Sequence, residues 1–285
     1  MRRNSLLIVT AAVSLLALAG CGRASLSTTK QTYRANVLVA PVKGHTNAKT
    51  VTYQIDQQTP HKQTVHDGTF VIQVPSTTKR QQVKLSANGN HQTVQVAAVK
   101  PLTNYQSLQQ AYNQALTGSK MSPAAQKQAV TLQKAAAQLK QQPNPELAAT
   151  VQQLQPQVQA AMAQAKTAAK GQLLPVATPK NGLHDVVSTK VVQTRMNVQD
   201  GQVMAASMMV PTKAFKSKAG QKEFGTSFAL MAGTTGADAK KVMKEFGKQT
   251  KAAKKGNTTV HPIYSNGVKF TFGVSTSKIY LFMEK

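Results

Sequence analysis

Cysteine is nearly missing from this sequence, tryptophan is missing altogether, and carboxylates are scarce. The single cysteine, Cys21, cannot close a disulfide within the chain, so packing alone must hold whatever folds here. Nine acidic residues among 285 leave little for chemistry that runs on paired carboxylates, such as general acid–base work or glycoside cleavage. Three of them, Asp67, Asp200 and Asp238, already read as turn or cap residues. Aromatic residues make up only 5% of the chain, too few to suggest an aromatic-lined ligand pocket between two lobes. No apolar run reaches the ~20 residues that span a bilayer as a helix.

Other constellations are incomplete. His184 and Asp185 are neighbours, but no G-x-S-x-G elbow supplies a nucleophile for a hydrolase triad, and no catalytic residue is expected. His61, His66 and Asp67 are close in sequence. A structural zinc site takes four ligands and a catalytic one three plus water, so these read as exposed side chains beside a turn, with no metal. No Gly-rich loop ends in Gly-Lys-Ser or Gly-Lys-Thr, and no cofactor is expected.

What is present begins at the start of the chain. Arg2 and Arg3 precede an apolar run from Leu6 to Leu18, broken only by Thr10 and Ser14, and small residues follow. That is the grammar of a secretory signal. Cleavage after Ala17-Leu18-Ala19 would satisfy a small-residue site, but it would leave a lone thiol on an exported protein without a purpose. The run ends in Leu18-Ala19-Gly20-Cys21, which resembles the lipobox of bacterial lipoproteins. The resemblance implies that residues 1–20 are a signal peptide and that Cys21 becomes the lipidated first residue of the mature chain. It also implies a position on the extracytoplasmic face of the cell membrane, with acyl chains on Cys21 as the anchor; two chains hold stably where one holds marginally.

Without residues 1–20 the chain carries 33 basic against 9 acidic side chains, a net of +24. The excess is spread out: 10 against 2 in residues 22–100, 6 against 1 in 101–170, and 17 against 6 in 171–285. A polycation tethered at a membrane meets anionic phospholipid and, in a Gram-positive wall, teichoic acid. Nucleic acid would fit the charge equally well, but export removes it from the expected partners.

Composition divides the exported part. Residues 21–30 are the lipidated cysteine and a small, polar segment expected to be a flexible spacer. Over 31–99 apolar residues alternate with polar ones: Tyr33, Ala35, Val37 and Val39; Val51, Tyr53 and Ile55; Phe70, Ile72 and Val74; Val83, Leu85 and Ala87; Val94 and Val96. Turn signals at His66-Asp67-Gly68 and Asn88-Gly89 separate the runs. The phrases DGTFVIQVP and VKLSANGN resemble bacterial immunoglobulin-like modules, which implies an all-β sandwich.

Residues 101–170 turn to Gln, Ala, Lys and Leu and predict a helical connector, with helices over 104–117, 123–142 and 145–170. Ser122-Pro123 and Asn144-Pro145 start two of them, and Pro156 is expected to interrupt or kink the last. Residues 171–285 predict an α+β domain, an antiparallel sheet with one helix. Its expected strands are 191–198 and 202–210 around Asp200-Gly201, then 224–231, 260–264, 268–274 and 278–283. The helix runs from Thr235-Gly236-Ala237-Asp238 to about Lys255. On it Lys240, Lys244, Lys248, Lys251 and Lys255 share one face, while Val242, Met243, Phe246 and Ala253 share the other. A basic face of this kind rests on anionic surfaces. The expected function is therefore binding without chemistry, to an anionic envelope polymer or lipid or to another surface protein. The rival is an accessory or substrate-binding lipoprotein of a transport or envelope-assembly system.

Overall fold

The computed structural model describes residues 25–249 and 261–285 in full and the backbone of 250–253. Among these the chain is a mixed α/β, multidomain protein with five α-helices and three β-sheets. The leader, Leu18 to Cys21, Lys255 and the side chain of Lys251 lie outside the described residues.

The N-terminal unit contains two sheets. β1 (Leu26–Thr28), β3 (Val39–Thr46) and β6 (Thr69–Pro75) pair in the order β1-β3-β6. β2 (Thr32–Tyr33), β4 (Thr50–Ile55), β5 (His61–Thr64), β7 (Gln81–Ala87) and β8 (Asn90–Val96) pair in the order β2-β8-β7-β4-β5. Strand side chains alternate between faces, so Phe70, Ile72 and Val74 of one sheet meet Val51, Val83, Leu85 and Val94 of the other in one core. Asp67-Gly68 and Asn88-Gly89 take positive φ at both positions (49° and 72°, 47° and 77°). That is the turn geometry whose twist matches the strands it joins.

Two expectations fail in this unit. The alternation from Tyr33 to Val39 is not a strand. β2 has two residues, the chain then turns with the Asn36 N–H donating to the Val39 carbonyl (2.8 Å), and Val37 sits at φ 63°. The long strand is β3, which Pro41 and Gly44 disguise in the sequence. Gly44 is required there, because the Phe70 ring and the Ser27 carbonyl occupy the space a side chain would need. The polar spacer expected over 21–30 is also structured from Ser25. Its N–H donates to Asn47 Oδ1 (3.1 Å), and Leu26–Thr28 pairs with Thr46–Gly44. Backbone pairing needs no apolar side chains, so composition hid this strand.

The C-terminal unit is built on one large sheet. β10 (Gly182–Ser188), β11 (Gln193–Gln199), β12 (Gln202–Pro211), β13 (Ile263–Ser265), β14 (Val268–Val274) and β15 (Lys278–Glu284) run in the order β10-β11-β12-β15-β14-β13. The short β9 (Thr103–Asn104) pairs antiparallel with β12. The turns at Asp200-Gly201 and Asn266-Gly267 again have positive φ at both positions. The helices α1 (Tyr105–Lys120), α4 (Lys218–Thr234) and α5 (Ala239–Ala253) join this sheet in one core. Phe228 meets Phe270 edge to face at 6.0 Å, and Phe246 stacks on Phe272 at 4.1 Å.

The single expected helix is therefore corrected. Residues 224–231, read as a strand, lie inside α4, where Phe224, Phe228 and Met231 recur at helical spacing and are all buried. Ser217 starts that helix by accepting the Gly220 N–H (3.0 Å). The first connector helix is likewise part of this core. Leu102, Tyr105, Leu108, Tyr112 and Leu116 are at most 1% exposed against it. α2 (Pro123–Gln141) and α3 (Pro145–Ala168) form a hairpin that buries little beyond Ala125, Ala135, Val158 and Ala165, and α3 runs through Pro156 without interruption. None of the described helices is long and apolar enough to cross a membrane.

Asn197 ties the units together. Its fully buried amide donates to the carbonyls of Leu38 (2.9 Å) and Ser76 (2.8 Å). Met196 and Val198, its neighbours on β11, belong to the helix-side core, so the N-terminal unit sits on the opposite face of the sheet from the helices. Ser25, the first described residue, is at the other end of β3 from Leu38.

Candidate functional site

The helical layer over the large sheet carries much of the positive charge of the C-terminal unit. Residues 212–250 hold eight lysines against Glu223, Asp238 and Glu245. α5 is built to show two faces. Asp238 opens it, its carboxylate accepting the Lys241 N–H (2.9 Å) and its carbonyl the Val242 N–H (3.1 Å). Val242 and Phe246 are buried against the sheet, while Lys240, Lys241, Lys244 and Lys248 are exposed. Lys248 shares its charge with Glu245 (3.1 Å), an exposed pair on one helix that contributes little.

Of the lysines expected from sequence to share a face, Lys240, Lys244 and Lys248 are exposed on α5, and the side chain of Lys251 and the whole of Lys255 lie outside the described residues. Sequence reasoning passed over Lys241 on α5, Lys218 and Lys222 on α4, and Lys213 and Lys216 in the 3-10 turn Thr212–Lys216 before it, all exposed. Reading 224–231 as a strand concealed that second group. The spacing of Phe224, Phe228 and Met231 by four and three residues was the available signal.

The acidic side chains are mostly engaged in holding the fold. Asp56 accepts the Gln82 N–H (2.7 Å), Asp200 the Asn181 amide (2.9 Å), and Glu223 the Thr189 hydroxyl (2.6 Å). Glu284 pairs with Lys269 at 2.8 Å, which raises the Lys269 pKa. Asp185 takes a forked bond from Arg195 (2.6 and 2.9 Å) and another from Gln193 (3.0 Å). The Arg195 hydrogen bonds hold the Asp185 carboxyl below the usual range. With Asp238 capping α5 and Glu245 on Lys248, seven of the nine carboxylates have a structural partner.

The histidines do not assemble. His184 Nε2 lies 2.7 Å from the Lys180 carbonyl, while its neighbour Asp185 is bound to Arg195, so the two are not a dyad. His61 leans on the Tyr53 ring (5.6 Å between centroids), and His66 stands in the turn before β6. No group of three His, Cys, Asp or Glu among the described residues is placed to hold a metal ion.

No family model matches the chain, and no curated protein matches it. Among solved structures, a β-glucuronidase from Bacteroides uniformis aligns with 27% of this chain and 11% of its own, at 18% identity and a TM-score of 0.21. A calcium-binding mutant of B. uniformis β-glucuronidase 2 aligns with 28% of this chain and 11% of its own, at 17% identity and 0.20. The chain spans 11% of the length of each of those proteins, and a likeness this slight bears on neither fold nor activity.

Proposed function

We propose that this chain is a non-enzymatic lipoprotein, anchored through Cys21 outside a bacterial membrane, that binds anionic polymer of the cell envelope through its basic helical layer. On this reading the N-terminal unit is an immunoglobulin-like sandwich that sets the binding layer at a distance from the bilayer. The observation that carries the reading is α5 itself. Its apolar side is committed to the sheet through Val242 and Phe246, so its lysines remain for a partner in solution.

Geometry favours a wall polymer such as teichoic acid over phospholipid headgroups. Cys21 stands four residues before Ser25, a reach of at most ~14 Å. The strand that leads away from Ser25, β3, has eight residues and spans roughly 25 Å. The lysines lie beyond it, on the far face of the next sheet. Attraction to a charged surface fades over about 8–10 Å at physiological salt.

The test uses the fragment 22–285, since every member of both cores falls between Leu26 and Met283. It should bind purified teichoic acid at low salt and release it as salt rises. Replacing Lys240, Lys241 and Lys244 by glutamine should weaken binding by about tenfold or more, at ~1 kcal/mol per lysine near the polymer. Replacing Lys49, Lys62 and Lys79 removes the same charge from the N-terminal unit and should cost about twofold. Equal losses would reduce the helical layer to bulk charge, and no binding at low salt would end the proposal. Separately, Cys21→Ser should release the protein from the membrane fraction or leave an uncut precursor. Unchanged retention and mature mass would remove the anchor.

A further inference from the structure

A second feature of the molecule owes nothing to the basic layer. Between α1, α3 and residues 173–176 runs a groove of about 380 Å³, continuous through Ala163, Lys166 and Leu173 with a second hollow of about 470 Å³. Small-molecule sites fall in the ~300–1,000 Å³ range. Its walls expose mostly carbon, and two of its residues are left in solvent at an evident cost: Met162 is 44% exposed and Val176 is 82% exposed.

The groove is also preformed. Asn113 grips residue 174 with both ends of its amide, donating to the Leu174 carbonyl (2.9 Å) and accepting the Leu174 N–H (2.8 Å). The buried Tyr105 hydroxyl donates to the Pro175 carbonyl (2.8 Å). A loop clamped by three hydrogen bonds to a core helix loses little freedom when something lies against it. The charged side chains lining the two hollows are Lys166 and Lys170, and no carboxylate lines either among the described residues. A mostly apolar hollow that meets Lys166 at its junction with the second hollow, where Lys170 follows, is complementary to a molecule with an apolar tail and an anionic head.

We infer that this groove binds a single-chain amphiphile with an anionic head, the tail lying along Met162, Leu173 and Val176 and the head meeting Lys166 and Lys170. The chemistry is shared by a free fatty acid and by a lysolipid with a phosphate head.

Binding to the 22–285 fragment is measured with palmitate, with a lysophosphatidylglycerol of the same chain length, with hexadecanol and with hexadecyltrimethylammonium. Palmitate, the lysolipid or both should bind about tenfold more tightly than the alcohol, and the cation should bind least. Which anion binds better identifies the source. Ala163→Trp, at an exposed position on the groove floor, should abolish binding without lowering Tm. Lys166→Gln with Lys170→Gln should bring the anions down to the level of the alcohol. Three results would overturn the inference: no binding of any probe, binding indifferent to Ala163→Trp, or equal binding of anion and cation. A dimer that Ala163→Trp dissociates would overturn it as well, by showing that a second copy fills the groove. None of these outcomes depends on Lys240 to Lys248, so failure here and failure of the polymer reading are separate.

Discussion

The two units solve the same problem with different materials. Among the described residues the N-terminal core is almost wholly aliphatic, with Tyr33 and Phe70 as its buried rings, and its antiparallel partners are joined by a short hairpin or lie one or two intervening strands apart. The C-terminal core is rich in Phe, Met and Tyr and draws on residues as far apart as Leu102 and Met283. Mostly local pairing leads us to expect that the first unit folds alone, with the parallel pair of Thr32–Tyr33 on Gln95–Val96 as its long-range closure, whereas long-range packing makes the second depend on a segment far away in sequence. What looks like a connector in composition is, in its first helix, a structural part of the domain it leads to.

The sharpest way to break the comparison is to cut the chain. A fragment of residues 25–99 should give a β-type circular dichroism spectrum and a cooperative melt. A fragment of residues 171–285 should not fold, because it lacks Leu102, Tyr105, Leu108, Tyr112 and Leu116, and restoring residues 101–120 should rescue it. Independent folding of 171–285 would show that α1 only decorates the core.

Next in size are core truncations. Tyr112→Ala and Leu116→Ala should each cost about 3–5 kcal/mol in denaturant unfolding, as large-to-small changes at fully buried sites do. Val158→Ala, in the seam of α2 and α3, should cost about 1 kcal/mol, since that seam is narrow and half open. Comparable losses would mean that the helical hairpin is as tightly bound as the core.

Asn197→Ala tests the junction. It leaves the Leu38 and Ser76 carbonyls without their donor and should cost about 1–3 kcal/mol. Its signature would be a single melt resolving into two, as each unit is freed to unfold alone.

Titration separates the units more gently. Burial pushes Tyr105 up to about 12 and raises Tyr112, whereas unfolded tyrosines ionise near ~10. Native-state protons held above the unfolded pKa mean that stability falls as pH rises past about 10, and the C-terminal unit should unfold first on the alkaline side. Asp185 works in the opposite sense. Its pKa is lowered, so its contribution is present above the unfolded value of ~3.9 and fades as acid protonates it. The Asp185–Arg195 pair is well exposed, so Asp185→Asn should cost no more than about 0.5 kcal/mol at neutral pH.

Local rules made much of this molecule legible. The Asx-Gly turns, the caps at Ser122, Asn144 and Asp238, and the strands over 268–274 and 278–284 follow from residue types whose backbone preferences are strong. What stayed hidden was decided at longer range. β10 carries little alternation, because Val186 and Val187 are buried side by side across a bulge. α4 passed for a strand because Phe224 to Met231 is apolar on more than one side, covered by the sheet and by α1. Of the candidate site, the α5 lysines were visible as spacing. The second lysine group and the groove needed the helices to be placed before their residues could be seen as neighbours.

The hairpin turns also give this protein a clock. Asn88-Gly89 and Asn266-Gly267 put an asparagine amide next to an exposed, unbranched backbone nitrogen, the arrangement in which that nitrogen attacks the side-chain carbonyl, expels ammonia and forms a succinimide. Hydrolysis then leaves aspartate or isoaspartate, adding a negative charge to a cationic chain and, for isoaspartate, an extra backbone atom inside a two-residue turn. The two sites should not age alike. The Asn266 amide donates to the Gly236 carbonyl (2.9 Å), which restrains the rotation the attack requires. The third Asn-Gly pair, Asn181-Gly182, is restrained as well, Asn181 donating to the Asp200 carboxylate (2.9 Å) and accepting the Asp200 N–H (2.7 Å), so in stored protein the first species heavier by one mass unit should map to Asn88. The hairpin of β7 and β8 would then be the first to lose its register with time.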